Sequence, residues 1–183
     1  MSTRQRLMST STGTNIPTGT NMNILQELVP VNKLTVPEYR EWLVGIEERI
    51  AAHPAAVDRH SEVEGGITLE HVFTPGLYTR EIFMPAGALV VSRIHLHEHP
   101  FIISQGKVSV YDGETIEVHE APYIGVTAPG TKRILYTHED TVWATFHVTD
   151  KKTLDELDVN GVITCDTFKE YDMLEDKETL WLG

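Results

Sequence analysis

From Ile67 to Val148 the chain is a succession of short apolar and β-branched runs, with no helical period between them. Pro75-Gly76, Pro85-Ala86-Gly87, Asp112-Gly113 and Pro129-Gly130 supply the breaks. Strands are expected over Ile67–Phe73, Leu77–Met84, Ala88–His95, Phe101–Gln105, Lys107–Tyr111, Glu114–His119, Tyr123–Thr127, Lys132–His138 and Thr141–Val148. Many short strands with regular turns and no crossover helices leave an antiparallel sandwich or barrel. Asp112-Gly113 is the sharpest hairpin signal, because type I′ turns need positive φ.

Upstream the period changes. Thr35 with Glu38 three residues on reads as a capping box, and Pro37 suits a first helical turn. Val36, Tyr39, Leu43, Ile46 and Ile50 recur at helical spacing with Trp42 alongside, and the helix should end near Ala52, before His53-Pro54. Its apolar stripe is expected to pack on the chain's own domain. Met1 to about Asn23 is rich in Ser, Thr, Gly and Asn and has little to bury. Such an arm is either disordered or ordered against a neighbouring subunit. Beyond Asp150 the chain turns acidic: Thr153–Glu156 and Thr167–Glu170 match short helix starts, and Asp172–Glu178 reads as a solvated face. The organisation is an extended arm (1–34), an amphipathic helix (35–53), a β-barrel (60–150) and an acidic segment with short helices (151–183).

At 183 residues a single domain is the expectation. A net charge of −12, from 15 basic and 27 acidic residues, excludes a general nucleic-acid or anionic-membrane binder. The one cysteine, Cys165, excludes an internal disulfide and reads as a packed small hydrophobe. No signal-peptide core or run of membrane-spanning length is visible, so a soluble, cytosolic protein is expected. There is no Gly-rich phosphate loop, nucleophile elbow or CxxC pair. Chemistry, if present, is metal-assisted or imidazole acid–base work.

The residues able to carry it cluster at His95-Leu96-His97-Glu98-His99. On a strand His95 and His97 face the same way, and converging imidazoles can begin a metal site.

Set on Gly87 and Gly106, this stretch resembles the first motif of the cupin superfamily: Gly, five residues, His-x-His, three or four residues, Glu, six residues, Gly. The spacing fits without a gap; Arg93 falls on the first His, His95 on the second and His99 on the Glu. The second motif, Pro-x-Gly-x-x-His, aligns with Ala128–Arg133 and places Arg133 where the His belongs. One of the four usual ligands is thus kept in type. The resemblance implies an antiparallel jelly-roll barrel that commonly holds a metal. Pro75–Ile82, Ile94-His95-x-x-x-His99, Pro129–Arg133 and Asp140–His147 look like small cupin-like proteins encoded by tailed bacteriophages. That likeness implies a phage context and no established reaction.

The functional reading joins His95, His99 and His147 as a three-imidazole site for Zn, Fe, Mn or Ni, with His97 and His138 as reserve ligands. The alternative is a set of barrel-mouth histidines bonded to backbone carbonyls and water. Arg93 and Arg133 either bind a carboxylate or phosphate or pair with barrel acids such as Glu81 or Asp140. Tyr136 and Trp143 either line a small-molecule pocket or pack in the core. His53, His60, His71 and His119 are expected at the surface. Three functions follow as expectations. The first, favoured by the phage likeness, is a virion-associated module docked to neighbouring phage proteins through its arm, in the virion or the host cytoplasm. The second is a metalloenzyme of dioxygenase, isomerase or lyase type, and the third a non-catalytic ligand sensor. A homo-oligomer is expected from the helix stripe and the sheets.

Overall fold

The computed structural model describes residues 3–6, 13–15, 24–53, 56–57, 66–157 and 163–181. In chain order the elements begin β1 (Thr3–Arg6), β2 (Gly13–Asn15), α1 (Ile24–Leu28), α2 (Val36–Ala51) and β3 (Ala56–Val57). The barrel strands follow: β4 (Thr68–Thr74), β5 (Leu77–Met84), β6 (Ala88–Val91), β7 (Ile94–His95), β8 (His99–Gln105) and β9 (Lys107–Tyr111). The chain closes with β10 (Ile116–Glu120), β11 (Tyr123–Thr127), β12 (Ile134–Thr137), β13 (Thr141–Val148), β14 (Thr164–Cys165) and α3 (Phe168–Trp181). One sheet runs β1-β4-β5-β13-β8-β11 and the other β10-β9-β12-β6-β2-β3, while β14 pairs with β7. The paired strands are antiparallel, and the chain crosses between sheets from β5 to β6, β8 to β9 and β12 to β13. This is the expected jelly roll. No described helix is long and apolar enough to cross a membrane.

Alternation sets what lies inside. Met84, Val90, Phe101, Ile103, Val108 and Trp143 meet between the sheets as one buried cluster. The second sheet is covered on its outer face too, where Leu89, Val91, Tyr111 and Ile134 pack against Leu25 of α1 and Tyr39, Leu43, Ile46 and Ile50 of α2. Burying each such side chain stabilises the fold by roughly 1.5–3 kcal/mol. The Glu38 carboxylate accepts from the Thr35 N–H at 2.8 Å and the Thr35 hydroxyl at 2.6 Å, fixing the start of α2. The Tyr39 hydroxyl then donates to the Lys132 carbonyl at 2.8 Å, tying α2 to the barrel. Gly106 reverses the chain between β8 and β9 with φ 86°. A Cβ there would collide with the Asp140 carbonyl, so the turn requires glycine.

Several local expectations are corrected. Ala88–His95 divides at Ser92-Arg93, where the Ser92 hydroxyl donates to the Arg93 carbonyl at 3.0 Å and accepts the Arg133 N–H at 2.9 Å. The Asp112 hairpin has a longer loop than a two-residue turn, because the Asp112 carboxylate accepts the Glu114 N–H at 3.1 Å and pairing resumes at Ile116. Thr153–Glu156 forms a turn rather than a helix, and Leu157 plugs the end of the barrel beside Phe73, Tyr78 and Ile163. The described parts of the 1–34 arm are built into the molecule: β1 pairs with β4, β2 with β6 and β3, and α1 packs on the barrel. At the C-terminus, Glu170 accepts from the Thr167 N–H at 3.1 Å and starts α3. Asp172 of that helix takes the Arg40 guanidinium on both oxygens, at 2.9 and 3.1 Å.

Candidate metal centre

His95 on β7, His99 on β8 and His147 on β13 all turn into the barrel. β8 and β13 are paired through Phe101 and Thr145, so the inward residues two positions further along each strand, His99 and His147, lie side by side. Their ring centroids are 4.4 Å apart, and those of His95 and His99 are 4.3 Å apart. One ring nitrogen from each of the three lies within 4.8 Å of the others. All are buried, at 7%, 2% and 5% exposure respectively.

The hydrogen bonds leave lone pairs pointing inward. His99 Nδ1 donates to the His97 carbonyl at 2.9 Å, since a carbonyl only accepts, and the Nε2 lone pair is then free. Among the described residues, buried His99 Nε2 has no protein partner, and neither has His95 Nδ1. His147 Nε2 lies 3.1 Å from the Thr145 hydroxyl, which itself donates to the Arg80 carbonyl at 3.3 Å. The hydroxyl therefore accepts Nε2–H, and His147 Nδ1 keeps its lone pair. Burial pushes all three pKa values down: His95 well below 6.5, His99 below 6.5, and His147 to about 3. His147 is lowered further by His99 and by Arg80. Three neutral imidazoles thus converge at a buried site, and a buried nitrogen without a partner costs about 1–3 kcal/mol. A divalent transition ion satisfies these nitrogens, and the residues present fit one.

A cavity of about 80 Å³ adjoins His95. Arg80, Arg93, Arg133, Thr127, Thr131 and Thr145 form part of its wall, with Ile82, Met84 and Trp143 beside them. Arg93 pairs with Asp166 at 2.8 Å. Arg133 donates to the Thr127 hydroxyl at 3.2 Å and lies over the Phe101 ring, 5.6 Å from its centroid.

The other expected site residues are placed as follows. The His97 side chain is exposed, and it is the His97 carbonyl that orients His99. His138 lies beyond the end of β12 with Nε2 2.7 Å from the Ser109 hydroxyl, far along the barrel from the cluster. Tyr136, expected at a ligand pocket, instead packs on the outer face beneath the helices, because its neighbours Leu135 and Thr137 take the inward positions. Arg93 reaches Asp166 rather than Glu81 or Asp140, whose carboxylate accepts the Ala86 N–H at 2.9 Å. Trp143 both stacks on Phe101 at 4.4 Å and lines the cavity. His71 is buried rather than at the surface, with Nδ1 2.6 Å from the Tyr78 hydroxyl. His119 is half-buried and stacks on Tyr123 at 4.0 Å. His53 is exposed, and His60 lies outside the described residues. Sequence reasoning missed Arg80 and Thr145 as site residues. The alternation Tyr78-Arg80-Ile82-Met84, a charge on an apolar face, was the available signal.

No protein-family model matches the chain, and no curated protein matches it. Among solved structures it is similar to an acetylacetone dioxygenase from Acinetobacter johnsonii, at 22% identity and TM-score 0.40 over 46% of this chain and 61% of that one. An RmlC-like cupin from Shewanella frigidimarina matches at 17% identity and TM-score 0.40, over 47% of this chain and 78% of that one. The Schizosaccharomyces pombe Cnp3 cupin domain matches at 20% identity and TM-score 0.40, over 52% of this chain and 75% of that one. This chain spans about three fifths of the Acinetobacter dioxygenase, 61% of its length. By its own topology, two antiparallel sheets with the chain crossing repeatedly between them, the molecule is a cupin-type jelly roll with a histidine cluster inside.

Proposed function

We propose that this chain is a metal-dependent enzyme acting on a small molecule, with a divalent Zn, Fe, Mn or Ni ion held by His95, His99 and His147. The carrying observation is the convergence of three neutral imidazoles, two of which present buried ring nitrogens with no protein partner. Such an ion supplies Lewis acidity toward an oxygen-bearing substrate. The chain's own residues prepare the site. The His97 carbonyl and the Thr145 hydroxyl fix the ring orientations of His99 and His147. The jelly roll buries the three rings, and the cavity beside His95 gives a small substrate room. Titrating chelator-treated protein with each metal tests the reading. At a hundredfold excess over Kd the preferred ion raises stability by about 2.7 kcal/mol. No ion shifting the melting temperature would refute it. A sensor would bind metal and ligand equally well and show no turnover.

The virion-module reading depended on an arm available to a neighbour. The described strands of that arm pair within this chain. What supports that reading is the sequence resemblance and the departure from the usual four-ligand set at Arg93 and Arg133.

A further inference from the structure

The cavity beside His95 is cationic. Arg80, Arg93 and Arg133 line it, and among the described residues no Asp or Glu does. Arg93 is answered by Asp166. Arg133 faces a second cavity on its other side, where Asp112 and Glu117 lie. Arg80 has no such compensation: among the described residues no carboxylate pairs with its guanidinium. Its strand neighbours are His71 and Thr145, both neutral. Its charge is felt by His71, His95, His99 and His147 alike.

A half-buried guanidinium without a counter-charge is less well solvated than one at the surface, and so small a cavity gives it little room for water. In a chain of net charge −12, an interior built this way is matched to an anionic ligand. The rest of the wall says which kind. Leu69, Ile82, Met84, Val90, Leu135 and Trp143 form an apolar surface that a bare inorganic anion would leave unused. At about 80 Å³ the cavity accommodates roughly six water-sized groups, at about 10–15 Å³ each.

We infer that the cavity binds a short-chain organic carboxylate, its carboxylate on the Arg80 guanidinium and its hydrocarbon body against Ile82, Met84 and Trp143. Arg's planar fork suits a two-pronged bond to a carboxylate. As the substrate class of the histidine centre, this rests on the metal-dependent reading; as a binding site it stands on the cavity alone.

The test uses the full chain after chelator treatment, titrated by NMR with isobutyrate, isovalerate, isobutyramide and inorganic phosphate. The two carboxylates bind saturably. Isobutyramide, the same shape without the charge, binds at least about tenfold more weakly. Phosphate also binds more weakly than either carboxylate. Arg80→Gln removes the preference for acid over amide, and Arg80→Lys restores part of it. If a variant fails to fold, the acid–amide comparison on wild type still decides. Equal binding of acid and amide overturns the inference, as does phosphate binding as tightly as isobutyrate. Metal content is measured on the same preparation. Stoichiometric metal with no carboxylate binding, in metal-free and metal-loaded protein alike, overturns the carboxylate assignment and leaves the metal centre standing. Carboxylate binding by a protein that takes up no metal supports the assignment and sinks the centre alone.

Discussion

Replacing Arg80 with Met should make the metal-free, ligand-free protein more stable. The guanidinium lines the cavity with no carboxylate partner among the described residues, beside the further cations Arg93 and Arg133. Burial and the nearby Arg93 charge both disfavour its charged form. Met has similar length and meets Ile82, Met84 and Trp143 on the same wall. Replacing buried ionic groups by apolar ones of like volume commonly stabilises by about 1–4 kcal/mol. Arg80 is only half-buried, so the lower part of that range applies, about 1–2 kcal/mol. At about 3 °C per kcal/mol for a chain of 183 residues, the melting temperature rises by about 3–6 °C. Scanning calorimetry at pH 7 with chelator reads this directly. Saturating isobutyrate should narrow the gap, because only wild type gains from it. A fall of several degrees in the variant, with an unchanged denaturant slope, would refute the reasoning and make Arg80 a structural contact.

Stability of the metal-free protein should also fall as pH drops from 6.5 toward 4. Burial, helped by the charge of Arg80, pushes His71 down to about 4, whereas the unfolded imidazole titrates near 6.5. The unfolded chain binds the extra proton across that window, so up to about 3 kcal/mol from His71 is present above pH 6.5 and lost below it. Urea series at pH 7 and pH 4.5 should show a smaller loss for His71→Gln than for wild type; equal losses would contradict this. Gly106→Ala should cost at least about 1–3 kcal/mol, since the residue combines φ 86° with a clash against the Asp140 carbonyl, and an unchanged urea midpoint would count against the turn assignment. Leu43→Ala, at a fully buried position between α2 and the second sheet, should cost about 2–5 kcal/mol by the same assay; a loss under about 1 kcal/mol would show that α2 is not part of the core.

The barrel was legible where one face is wet or a turn is chemically explicit. Leu77–Met84, Lys107–Tyr111, Tyr123–Thr127 and Thr141–Val148 match the observed strands residue for residue, each bounded by a Gly, Pro or Asp signal. On the second sheet both faces are buried, so alternation does not tell inside from outside, and of the two places open to Tyr136, pocket or packing, it takes packing on the outer face. His71, expected at the surface from its polarity, and Arg80, which no motif singles out, both follow strand neighbours that mark the inward face: Leu69 and Phe73, and Tyr78 and Ile82. The paired glycines Gly87 and Gly106 fixed a register that selects His95 and His99 over His97, and the structure turns those two inward and His97 outward. The Arg93–Asp166 pair joins residues distant in sequence across a two-strand contact, β7 with β14, that no local pattern announces.

The proposed centre stands or falls with which histidines hold the ion. The most direct measurement is metal content per chain, by inductively coupled plasma mass spectrometry, after reconstitution of wild type and single alanine variants. Stoichiometric metal is expected in wild type and in His97→Ala, whose carbonyl still orients His99, and its loss in His95→Ala, His99→Ala and His147→Ala. A metal-free wild type, or metal lost in His97→Ala and kept in His99→Ala, would contradict it.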